Sequence, residues 1–229
     1  MNLGIFALAP RGYWNSSGPF PFPFTCFSRP SHRLTEAGVV IDYQRGLNHL
    51  LETTDAPIWL LGHSLGAAAA VQLLHRVSLT DPKGDVRYKR IRGMILENPL
   101  PSIRKMVKVL YPSPYVPYHY LGPFVRDKWD TIKAFESSHH SKNSIFSTIP
   151  LLVLQSERDE LVPPSLTRRV YEAAIGKPMG LKNDHLIGKN VIQRYRSIPR
   201  ALHDDAYTKP RYRLEIFQFI RDTISSHGN

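Results

Sequence analysis

The sequence predicts an α/β fold built on a mostly parallel sheet. Two observations carry that expectation. Short apolar runs of strand type alternate with amphipathic helices along most of the chain, and one of those runs passes through a Gly-x-Ser-x-Gly turn straight into an Ala-rich helix.

That turn organises the rest. Ile58-Trp59-Leu60-Leu61 reads as a strand, Gly62-His63-Ser64-Leu65-Gly66 as a sharp bend, and Leu65 to about Val77 as the helix that follows. Strand, bend and helix in this order form a nucleophile elbow, with Ser64 at the apex in a strained backbone conformation. Gly62 and Gly66 are expected to let neighbouring backbone pass close by. The helix N-terminus points its free N–H groups at the place where negative charge develops in acyl transfer. The plainer reading makes Ser64 a helix cap. The context on both sides of the bend favours the nucleophile.

Before the elbow, Ile5 to Ala9 reads as a buried strand, ended by Pro10. Gly18-Pro19-Phe20-Pro21-Phe22-Pro23-Phe24 alternates Phe with Pro, which forbids both helix and central strand and implies an irregular loop. Leu34 to Leu51 carries Val39, Tyr43, Leu47 and Leu50/Leu51 at helical spacing. After the elbow, Asp81-Pro82-Lys83-Gly84 is a turn and Ile91 to Leu96 a strand ending in Glu97-Asn98-Pro99. Residues 101–147 are rich in Tyr, Pro, Lys and His, with weak helical pattern at Ile103 to Leu110 and Lys128 to Glu136; they read as a cap-like insertion in a single domain, 1–229. Pro150 to Gln155 is another buried strand, and a helix opens at Pro163-Pro164 and runs to about Ala174. Gly176 to Pro199 reads as irregular and basic, with a short β-like piece near Val191-Ile192. Tyr212 to Ile224 is an amphipathic helix.

Composition narrows the classes. With 229 residues the chain is long enough for one sizeable core. Its lone cysteine, Cys26, excludes an internal disulfide. No run reaches the roughly 18 apolar residues of a membrane helix, and the N-terminal apolar run lacks the basic flank of a signal peptide. The net charge of +11 attracts acidic surfaces, but its residues are spread out and form no nucleic-acid module. An anionic membrane surface is the partner that this charge leaves open.

A serine hydroxyl needs a base, and the base an orienting carboxylate. The order serine, acid, histidine places the acid after a late strand and the base ahead of the last helix. Asp159 and His203 satisfy that order, with Glu157 competing as acid and His185, His139 and His140 as base. The Leu65 N–H supplies one oxyanion donor, and no segment stands out for the second. His139-His140 lacks the ligands at metal spacing that would complete a site, and the reading calls for no metal and no cofactor.

These residues make the chain resemble the α/β-hydrolase fold superfamily, within it the eukaryotic abhydrolase-domain proteins of the fungal bud-emergence-like branch. The matching pieces are Arg11-Gly12-Tyr13 with Ser17-Gly18, the elbow, Ile95-Leu96-Glu97-Asn98, Asp127-Lys128-Trp129, Asp159-Glu160-Leu161-Val162-Pro163-Pro164 and Leu202-His203-Asp204-Asp205. The resemblance implies a serine hydrolase with Ser64, Asp159 and His203 as nucleophile, acid and base, acting on acyl esters or thioesters. It also implies, in an intact form, earlier strands, a His-Gly-Asn-type loop giving the second oxyanion donor, a membrane anchor and endoplasmic-reticulum association. None of these has a counterpart here, and residues 19–32 and 178–197 look like extra sequence, so an N-terminally incomplete or mis-spliced coding sequence is expected. The alternative is a non-catalytic binding or scaffold protein on the same fold. Tyr111, Tyr115, Tyr118 and Tyr120 are candidates for lining an acyl pocket.

Overall fold

The structure is a computed structural model, and it describes residues 3–13, 16, 35–80, 86–113, 115, 125–139, 144–178, 184–187 and 191–226. The chain divides into two compact units, residues 1–55 and residues 56–229.

The first unit is built on one helix, α1 (Glu36–Thr53). Thr35 caps it, its hydroxyl accepting from the Gly38 N–H, and Glu36 places negative charge in the first turn. Arg11 grips Asp42 with two side-chain bonds of 2.7 Å and a backbone bond of 3.0 Å. The strand expected over Ile5–Ala9 does not form. Residues 3–10 join no ladder, and Ile5 is 94% exposed. Apolar character marked these residues as a strand, but a strand is made by its partner, and they pair with none. The Phe/Pro stretch lies outside the described residues.

The second unit is a five-stranded sheet in the order β1-β2-β3-β5-β4. Its strands are β1 (Ile58–His63), β2 (Ile91–Glu97), β3 (Leu151–Ser156), β4 (Asp184–Ile187) and β5 (Val191–Ile198). The first three and β5 run parallel, and β4 pairs antiparallel with β5. All six residues of β3 are buried, as in a strand covered on both faces, and its first four, Leu151 to Leu154, are apolar.

The helices are α2 (Leu65–Thr80), α3 (Ile103–Leu110), α4 (Thr131–His139), α5 (Pro164–Ile175) and α6 (Pro210–Ser225). On one face of the sheet Ile95, Leu152, Leu154 and Ile198 meet Tyr212, Phe219 and Ile220 of α6. Each such side chain, removed from water, contributes roughly 1.5–3 kcal/mol. Alternate residues point the other way, where α2 packs on β1 and β2, and α5 on β3. Gly93 is fixed by this packing: a Cβ there would stand 2.8 Å from Trp59 and 3.0 Å from Phe219.

The β-like piece near Val191-Ile192 is in fact a full strand of eight residues, wedged between β3 and β4. Its arginines find partners on α6: Arg194 bonds Asp222 at 3.0 Å and Arg196 bonds Glu215 at 3.0 Å. α3 and α4 form where the weak helical pattern lay. No helix among the described residues is long and apolar enough to cross a membrane.

Candidate active site

β1 ends at His63 and α2 begins at Leu65, so a single residue turns the chain between them. Ser64 makes that turn at φ 52°, in the left-handed region that a non-glycine residue adopts at a cost. The surroundings hold it there. Its N–H bonds the Glu97 carbonyl at 2.9 Å, and its own carbonyl accepts from Ala67 and Ala68. Gly62 is required by contact, since a Cβ there would fall 2.4 Å from the Gly66 carbonyl oxygen and 2.6 Å from Ala67 Cα. Gly66 is not, because nothing lies within 4 Å of its Cβ position. The sequence expectation of a close approach at both glycines holds for Gly62 alone. Leu65, first in α2, keeps its N–H among the helix's unpaired donors.

Asp159 follows β3, and its side chain is fully enclosed. Oδ1 accepts from the Leu161 N–H at 2.9 Å and the Val162 N–H at 2.7 Å, which fixes the carboxylate's orientation. Nδ1 of His203 lies 2.8 Å from Oδ2 and 3.0 Å from Oδ1. His203 sits on the loop between β5 and α6 and is 4% exposed. Burial of its ring opposes protonation, but the hydrogen bond and charge of Asp159, with Asp204 and Glu160 adding, outweigh it and raise the pKa above the ordinary histidine value.

The backbone around His203 is pinned from three sides. Its N–H donates to Glu160 at 3.1 Å. Its carbonyl oxygen accepts from the Asn98 amide at 3.0 Å and faces Nε2 of His63 at 3.0 Å. The His63 and His203 rings lie tilted at 53° to one another, with centroids 4.7 Å apart. The residue before Ser64 thus lies against the imidazole. Among the described residues neither the Ser64 hydroxyl nor Nε2 of His203 has a hydrogen-bond partner.

Asn98 is the hub of this arrangement. It is fully buried at φ 44°. Besides the His203 carbonyl, its amide N–H donates to the Ser156 hydroxyl at 2.9 Å and its oxygen accepts from the Ser156 N–H at 2.7 Å. Next to it Glu97 is buried with Tyr212 donating to its Oε2 at 2.8 Å. Burial raises the Glu97 pKa, against the Tyr212 hydrogen bond and the nearby His63 and His203.

Of the sequence candidates, the structure brings Asp159 and His203 into contact. Glu157 is exposed and accepts from the Arg200 N–H. His139 ends α4 and bonds the Ala173 carbonyl; His185 lies in β4; His140 is outside the described residues. Tyr111 is 42% and Tyr115 94% exposed, and Tyr118 and Tyr120 lie outside the described residues. Sequence reasoning assigned no role to His63 or Asn98. Their only signal was their place, one before the elbow serine and one at the end of the next strand.

No protein-family model matches the chain. Protein bem46 of Schizosaccharomyces pombe is 27% identical over 230 residues, covering 99% of this chain and 59% of its own length. Lysophosphatidylserine lipase ABHD12 of Mus musculus is 31% identical over 124 residues, 52% of this chain and 28% of its own. This chain therefore spans less than two thirds of the length of either relative. Among solved structures, an α/β-hydrolase from Vibrio vulnificus superposes with TM-score 0.55 at 16% identity, over 81% of this chain and 57% of that one. The chain has the α/β-hydrolase fold, and in sequence it is similar to fungal Bem46.

Proposed function

We propose that this chain carries the catalytic centre of a serine hydrolase cleaving carboxylic ester or thioester bonds through an acyl-enzyme on Ser64. The observation that carries the reading is the buried Asp159–His203 pair, whose imidazole lies beside His63, the residue before the strained Ser64. A relative named as a lipase supports the same reaction class.

In this mechanism Nε2 of His203 takes the Ser64 proton as Oγ attacks the acyl carbonyl carbon. The Leu65 N–H stabilises the resulting oxyanion. The intermediate collapses, and the leaving alcohol or thiol departs with the proton from His203. A water deprotonated by the same nitrogen then attacks the acyl-enzyme, and the acid leaves as Ser64 regains its proton. Asp159 holds the ring with its proton on Nδ1, so that Nε2 is free to accept. The charge of +11 favours acyl substrates presented at an anionic membrane surface.

A binding or scaffold role on the same fold is the competing reading. It draws on the lack of a second oxyanion donor in the sequence, a loss worth about 10²–10³ in kcat. A fluorophosphonate probe separates the two. Labelling of Ser64 that disappears in Ser64→Ala and in His203→Ala is the expected result. Folded protein that never labels supports the scaffold.

A further inference from the structure

His63, His203 and Asp204 each offer a metal-ligating atom, and the three atoms lie within 4.8 Å of one another. Two imidazoles and a carboxylate suit Zn²⁺ and neighbouring first-row ions, with one position left for water. A histidine that binds a metal usually gives its other ring N–H to a carboxylate or a carbonyl, which fixes tautomer and orientation. Both rings already have that support. Nδ1 of His203 lies 2.8 Å from Asp159 Oδ2, and Nε2 of His63 lies 3.0 Å from the His203 carbonyl oxygen. The nitrogens left over are Nε2 of His203 and Nδ1 of His63, and among the described residues neither has a hydrogen-bond partner. A chance trio of surface donors has no such backing.

Charge and space agree with this. Asp159, Asp204 and Glu160 surround His203 with negative charge, which favours a cation there. Donors at Zn²⁺ distances in a tetrahedral site stand about 3.3 Å apart, so the trio has to close from its present spread. Asp204 is solvent-exposed, so a change of its rotamer contributes to that closure.

We propose that His63, His203 and Asp204 form a capture site for a divalent transition metal of the Zn²⁺ class, and that its occupancy switches the hydrolase off. The switching half rests on the reading of His203 as the base: a metal on Nε2 holds the lone pair that would take the Ser64 proton. The capture half does not depend on that reading.

The test uses the full chain, stripped with a chelator and dialysed against Zn²⁺ alone. One ion per chain is expected. Asp204→Asn should weaken binding at least tenfold, with circular dichroism showing the fold kept, and Asp204→His should restore it by replacing the carboxylate with an imidazole. Labelling of Ser64 by a fluorophosphonate probe should stop at saturating Zn²⁺ and return on adding chelator. Zn²⁺ binding that never saturates at one ion, or that Asp204→Asn leaves unchanged, overturns the capture site. Undiminished labelling at full occupancy overturns the switch. Failure to label even without Zn²⁺ removes the hydrolase reading and the switch together, while dialysis still decides the capture site.

Discussion

The Asn98 side chain donates to the His203 carbonyl across 105 positions of sequence, at 3.0 Å. The same amide is bonded to both the hydroxyl and the N–H of Ser156, so one buried side chain ties the ends of β2 and β3 to the histidine loop. Asn98→Ala leaves the enclosed Ser156 N–H without its acceptor and is expected to cost about 2–3 kcal/mol. Urea unfolding monitored by tryptophan fluorescence measures it. A loss under 0.5 kcal/mol would mean that the hub is ornamental.

Asp159→Asn keeps an oxygen for the Leu161 and Val162 N–H groups but turns an NH₂ toward His203. The ring then carries its proton on the wrong nitrogen. Steady-state hydrolysis of an activated ester should show kcat lower by about 10³–10⁴ with KM little changed. A KM effect with kcat intact would assign Asp159 to substrate binding.

The acid limb of the pH profile follows from the raised His203 pKa. In the proposed mechanism the ring acts as a base only when neutral, so kcat/KM is expected to fall as pH drops through that value. In chelator-treated buffer the midpoint should lie above the ordinary histidine value of 6.5. Asp204 raises the pKa through its charge, so Asp204→Asn should bring the midpoint down. A midpoint that rises in this variant contradicts the electrostatic account.

The two elbow glycines should respond oppositely. Gly62→Ala drives a methyl into the Gly66 carbonyl and Ala67, with no side chain able to move aside, and should cost about 3 kcal/mol or more. Gly66→Ala meets nothing and lies in α2, so it should gain about 0.5–1 kcal/mol from helix propensity. Thermal melts of the two variants, run side by side, check the contrast.

The strands that read clearly from sequence are those whose burial is written in their own residues. β1 to β3 are apolar runs, and the Gly-x-Ser-x-Gly bend imposes its geometry locally, so the elbow was legible too. β5 was not, because Gln193, Arg194 and Arg196 look solvent-facing. The two arginines are half-buried against Asp222 and Glu215, on a helix yet to come in the chain, and Gln193 is buried with its amide donating to the Ile149 carbonyl. Ile5 to Ala9 failed in the opposite sense, apolar enough for a strand but with no ladder to join. At the site, chain order singled out Asp159 and His203, and the structure brings these two side chains into contact. The parts played by His63 and Asn98 are hydrogen bonds to a backbone carbonyl more than a hundred residues away, and no local pattern records such a bond.

The position of β5 between β3 and β4 has a temporal meaning during synthesis. The histidine hangs on the loop after this late wedge, so the carbonyl that Asn98 bonds is made 105 positions after Asn98, and the ring that Asp159 bonds 44 positions after Asp159. Neither bond can close on an emerging chain until the ribosome has passed the histidine.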